Sequence, residues 1–335
     1  MNSHLSGKLK VLAGRAWRKL GLPQPQRPAI LMYHRIAIAA GDPWDLCVSP
    51  DNFTSQLQAL KRRRCVLSLP EFAARHADGS LPGNAVAITF DDGYACNAEI
   101  AAPLLVEAGL PATIFLCTGM IDASRWFWWD ALEEIVMTHA GSTLQLDAET
   151  EPVQLGPIDA SEVRRRWRAF ITQPTARQAA YIALWSRLKF MSEPDRQAAM
   201  ISLHTQSGVS ANAPVAARSM SLTQTRVLAS RPGIEIGAHT VTHPALGEIS
   251  SDAQRLEITT SKVACEGMIG RPVVSFAYPY GSHTAETARL VREAGLMQAC
   301  TTIAEPVSAT SDRSTLPRYQ VLDWSGDVLV RKLGL

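Results

Sequence analysis

Ala85-Val86-Ala87-Ile88-Thr89-Phe90-Asp91-Asp92-Gly93-Tyr94 is the stretch that decides how this chain folds. Its first half is a short, uninterrupted apolar run, the pattern of a strand buried on both faces. Two adjacent carboxylates then end the run. Along a strand they would point to opposite faces, so one would be buried, and an unpaired buried charge is costly. Gly93 lets the chain turn sharply, so both carboxylates can converge on one cavity. Crowding of this kind points to a metal, a catalytic base, or both.

A second strand-like run, Gly233-Ile234-Glu235-Ile236-Gly237-Ala238, leads into His239-Thr240-Val241-Thr242-His243-Pro244. Histidines at i and i+4 share one face of a helical turn, so the spacing predicts a helical turn gripping one ion. Alone, this spacing is a weak signal and equally describes two surface histidines. Joined to a strand-ending carboxylate, it gives three protein ligands and an open position for water. That is the pattern of a catalytic rather than a structural zinc site.

These motifs resemble those of the polysaccharide deacetylases of the NodB-homology type, carbohydrate esterase family 4. The resemblance covers about residues 28–300. It implies a distorted, incomplete (β/α) barrel of seven strands, with Asp91 as catalytic base and Asp92, His239 and His243 as metal ligands. A third segment, Phe276-Ala277-Tyr278-Pro279-Tyr280-Gly281, is similar to the family's groove-wall motif. By that likeness the Tyr280 backbone N–H helps to bind the oxyanion. Two departures stand out. Ala277 occupies the place where many members carry an arginine that orients the base, and Arg318, in Leu316-Pro317-Arg318-Tyr319, is the candidate substitute. Many members also have a late histidine as general acid, whereas the last histidine here is His283. His34, at the end of the strand-like Ala29–Tyr33 run, is the expected replacement. A hydrogen-bonded core histidine is the competing reading of His34, and His283 is the weaker alternative for the acid.

The chemistry implied is amide hydrolysis on an N-acetylated amino sugar of a poly- or oligosaccharide, in surface polysaccharide metabolism. One divalent ion, zinc by default for two His and one Asp, would polarise the acyl oxygen and activate water. Asp91 would accept the water proton, and His34 would protonate the departing amine. A non-catalytic glycan-binding protein of the same fold and a deformylase acting on a lipid-linked amino sugar are the alternatives.

Around the motifs, apolar runs at 29–33, 65–69, 85–90, 112–117, 233–238, 273–277 and 297–301 alternate with helical patterns at 52–63, 70–77, 95–108, 221–230, 250–268 and 284–294. Such alternation predicts parallel strands with helices outside. Residues 122–220 interrupt it with further helical patterns at 129–139, 161–171, 175–189 and 193–206, and read as an insertion in a domain spanning 28–335. The insertion opens on Trp126-Phe127-Trp128-Trp129. That cluster reads either as a sugar-stacking platform or as the staple fixing the insertion to the barrel.

The composition is that of an ordinary globular enzyme, 46% hydrophobic and 19% charged, and a formal charge of +2 argues against a nucleic-acid binder. Six scattered cysteines without a C-x-x-C motif give no sign of a disulfide framework or a cysteine zinc site. Residues 1–27 show no secretory leader. They read as a basic amphipathic helix followed by a Pro-rich linker. The expected location is therefore cytoplasmic, with the helix either docked on the domain or in peripheral contact with the inner membrane.

Overall fold

A computed structural model describes residues 26–335 except 124, 148, 171–173, 215, 216, 333 and 335. The amphipathic helix expected within 1–27 falls almost wholly outside the described residues.

Each of the seven expected strands is present: β1 (Ala29–Tyr33), β2 (Cys65–Leu67), β3 (Ala85–Phe90), β4 (Ala112–Leu116), β5 (Ile234–Ala238), β6 (Ser275–Ala277) and β7 (Gln298–Cys300). An eighth, β8 (Tyr319–Gln320), is only two residues long, too short to show a period in the sequence. The sheet order is β7-β6-β5-β4-β3-β1-β8, and every pairing is parallel. The short β2 lies beside the first half of β3, and β4 takes over along Thr89–Phe90. Strands β1, β3 and β4 are buried at every position, as parallel strands covered on both faces must be.

The two ends of this sheet are tied together by Leu316–Gln320. Leu316 N–H donates to Ala299 C=O, Thr301 N–H donates to Leu316 C=O, and Tyr319 and Gln320 then pair with Leu31 and Met32 of β1. The result is a distorted (β/α) barrel whose last stave is an irregular ribbon, and this ribbon carries Arg318 into the barrel interior.

The outer helices match the sequence pattern closely, with two instructive differences. The expected helix 95–108 begins as a π-helical turn, Asn97–Ala101, before continuing as Ala102–Ala108. Pro103 has no N–H to donate, and the wider turn absorbs the break. The helix expected over 161–171 ends at Arg166, because the chain leaves it to hydrogen-bond Pro43 through Ala169 N–H.

Between the barrel strands β4 and β5, the helices Trp128–Thr138, Ala176–Leu188 and Glu193–Ser207 enclose their own core of Leu132, Ile135, Tyr181, Leu184 and Leu203. No described helix is long and apolar enough to cross a membrane.

Candidate active site

Every motif residue follows a barrel strand at its C-terminal end, where (β/α) barrels gather their chemistry. Asp91 N–H still donates to Tyr33 C=O in strand register, and Asp92 then turns the chain with φ +74°. Gly93 continues at φ +82°, and a Cβ there would sit 3.0 Å from Leu116 Cδ2. The positive φ favours glycine, and any side chain there would have to displace the end of Leu116.

The second motif corrects a sequence expectation. His239–His243 is not a helical turn but a loop, with Thr240 at φ +65° and His243 at φ +60°. A left-handed, β-branched threonine breaks any right-handed helix. Its conformation is held from both sides. Thr240 Oγ1 accepts from His243 N–H at 3.0 Å, and the Glu257 carboxylate takes Val241 N–H, Thr242 N–H and the Thr242 hydroxyl. Tyr280, at φ +57°, is also left-handed. Among the described residues, four of the six non-glycine residues with positive φ thus belong to the three motifs, and backbone strain of this kind concentrates at functional sites.

Asp92, His239 and His243 come together: their ligand atoms all lie within 4.8 Å of one another. His239 Nε2 and His243 Nε2 approach Asp92 Oδ1 to 3.5 and 3.4 Å. Those separations are too long for good hydrogen bonds. They match the spacing between ligands of a tetrahedral ion with bonds of about 2.0–2.2 Å. Asp92 Oδ1 is buried without a hydrogen bond among the described residues. His239 Nδ1 faces Ala277 C=O at 2.8 Å, which leaves Nε2 as the free lone pair. Burial opposes the charge on Asp92, but the two imidazoles outweigh it and hold its carboxyl well below the usual range. Burial pushes His243 down to about 4, so its ring is neutral and available as a ligand. An orphaned carboxylate oxygen and two imidazole nitrogens fit a divalent cation.

Asp91 belongs to a different pair. The Arg318 guanidinium holds both its oxygens at 2.7 Å, donates to Thr89 Oγ1 at 3.1 Å, and donates through Nε to Thr301 C=O at 2.9 Å. Arg318 is fully buried. Burial opposes ionisation of Asp91, yet Arg318 outweighs it, so the carboxyl titrates below its ordinary value. The guanidinium lacking at Ala277 is thus supplied from the ribbon that ties the sheet ends.

Asp91, Asp92, His239 and His243 line a cavity of about 420 Å³ together with His34, Tyr280, Trp44, Trp129, Trp185 and Gln320. His34 is half-buried there, beside Asp91 and Asp92, rather than sealed in the core. His283 is not in this cavity; it stacks on Tyr278 and its Nδ1 meets Gly281 C=O. Of the two readings of the tryptophan cluster, the packing of Trp129 matches the staple. Trp129 walls the cavity and, with Trp128, packs the insertion onto the barrel. Trp44, Trp185 and Gln320 escaped sequence reasoning, since no local pattern brings such distant positions together.

The polysaccharide deacetylase family model matches residues 78–143 and 214–299, leaving out the middle of the insertion. The chain carries a domain of the polysaccharide deacetylase family. No curated protein sequence matches it. Among solved structures, the Streptococcus pyogenes deacetylase PplD is 19% identical, with a TM-score of 0.59 over 92% of this chain and 99% of that one. IcaB from Ammonifex degensii is 17% identical, with a TM-score of 0.56 over 93% and 99%. The deacetylase domain of BpsB from Bordetella bronchiseptica is 16% identical, with a TM-score of 0.52 over 88% and 95%. At these identities the chain shares with them its fold, a parallel sheet wrapped by helices.

Proposed function

We propose that this deacetylase-family chain is a metal-dependent hydrolase that removes N-acetyl groups from amino sugars of a poly- or oligosaccharide, in surface polysaccharide metabolism. The observation that carries the proposal is the division of labour between adjacent carboxylates. Asp92 faces two histidines, while Asp91 is held by Arg318 in the same cavity. A pure binding protein has no use for both.

Asp92, His239 and His243 would hold one divalent ion, zinc by default for this donor set. When bound, that ion supplies Lewis-acid polarisation of the acyl group and of the attacking water. Asp91 accepts a proton from the water, and the rigid Arg318 fork keeps its carboxylate ionised and aimed. His34 donates a proton to the departing amine. The Tyr280 backbone N–H donates to the developing oxyanion. Trp44, Trp129, Trp185 and Tyr280 line the cavity, and aromatic walls suit a pyranose ring and would exclude water from the reacting bond.

The test is acetate release from N-acetylglucosamine oligomers by zinc-reconstituted protein, beside Asp91→Asn. Release by the wild type, with a loss of about 10²–10⁴-fold in a variant that still binds zinc, is the expected outcome. An equally active Asp91→Asn protein removes Asp91 from its role as base. A formyl-sugar panel separates a deformylase from a deacetylase.

A further inference from the structure

The two proposed histidine ligands are held in different ways. His239 is oriented by a hydrogen bond from Nδ1 to Ala277 C=O. His243 Nδ1 is buried and has no hydrogen-bond partner among the described residues. A ligating imidazole normally owes its orientation to such a bond. What touches the His243 ring instead is aromatic: Trp129 at 4.8 Å between ring centres and Tyr280 at 4.6 Å, the latter edge-on. The orientation of His243 then depends on its ring neighbours Trp129, Tyr280 and His239, the last at 4.9 Å.

Trp129 is itself pinned by a buried polar chain. Its Nε1–H donates to the Tyr94 hydroxyl at 2.9 Å, and that hydroxyl donates to Asp130 Oδ2 at 2.7 Å. Asp130 Oδ1 accepts from Arg35 at 3.2 Å, and the Arg35 guanidinium lies over the Tyr94 ring at 5.2 Å. Tyr94 is fully buried, and Trp129 is buried except where it meets the cavity. Apolar residues of similar volume would fill this space at no greater cost in stability, so the chain of polar groups is better read as fixing one geometry.

We propose that Tyr94 and Asp130 are positioning residues for the metal site: they lock Trp129, and Trp129 helps to set the angle of the His243 ring. This rests on the assignment of Asp92, His239 and His243 as ligands. It gives the helical insertion, which contributes Trp129 and Asp130, a part in the metal centre beyond covering it.

The test uses the full chain stripped of metal, titrated with Zn²⁺ against a chelator and with Co²⁺ followed by its visible spectrum. Tyr94→Phe removes one hydroxyl from the link, and Trp129→Phe keeps a ring while losing the N–H. Each is expected to weaken Zn²⁺ binding about tenfold and to alter the Co²⁺ spectrum. The double variant should be no weaker than the worse single one, because both changes cut the same link. Urea unfolding of the metal-free proteins confirms that each variant is folded. If Tyr94→Phe does not fold, Trp129→Phe carries the test by itself. Folded variants with wild-type affinity, within about twofold, and an unchanged Co²⁺ spectrum overturn the positioning role while leaving the metal site intact. A wild-type chain that takes up neither ion overturns the ligand assignment, and the positioning role with it.

Discussion

Arg318→Met replaces a fully buried guanidinium by a side chain of similar length that donates nothing. Asp91 then loses two charge-assisted hydrogen bonds at 2.7 Å, and Thr89 Oγ1 and Thr301 C=O lose theirs. Removing one partner of a buried ion pair typically costs about 3–5 kcal/mol, because the remaining charge is stranded. The chain limits that loss by protonating Asp91. At about 1.4 kcal/mol per unit, the same energy corresponds to an upward shift of roughly two to four pKa units. The sign of the pH dependence therefore reverses. In the wild type the Asp91 pKa is lowered on folding, so its contribution is present above the unfolded value and lost as pH falls through the folded one. In Arg318→Met the pKa is raised, so the penalty is full above the raised value and shrinks as pH falls below it. Urea unfolding at pH 7 and pH 5 reads both quantities. We expect a loss of about 3–5 kcal/mol at pH 7, a smaller loss at pH 5, and partial recovery at pH 7 in the double variant Arg318→Met/Asp91→Asn. A loss below about 1 kcal/mol, or a double variant no more stable than Arg318→Met alone, would refute the claim that Arg318 acts by balancing a buried Asp91 charge.

Other outcomes follow from the same geometry. His34→Ala should lower kcat by about 10²-fold or more with zinc content unchanged; an undiminished kcat would assign the acid elsewhere. Asp92→Ala and His239→Ala should abolish stoichiometric metal binding measured by atomic absorption, and a chelator should silence the wild type until zinc is restored. Gly93→Ala should destabilise the protein by at least about 1–2 kcal/mol in thermal or urea unfolding, since a side chain is disfavoured at φ +82° and meets Leu116; wild-type stability would show that the turn can relax.

The amino-acid order alone made the barrel strands legible, because parallel strands buried on both faces are written as unbroken apolar runs. It also exposed Asp91, Asp92, His239, His243 and Tyr280, each lying just past such a run. Local spacing misled at His239–His243, where a helical turn was expected. The left-handed Thr240 and the capping Glu257 carboxylate, distant in sequence, make it a loop that still brings both Nε2 atoms to Asp92. Only the tertiary structure placed Arg318 on Asp91. It sits just before a two-residue strand with no readable period, and reaches the interior because Leu316–Gln320 bridges β7 and β1. The aromatic clamp on His243 is likewise invisible in sequence. Apolar periodicity records which residues are buried, but which distant side chains meet across a cavity is decided by how the strands close and where the insertion folds back.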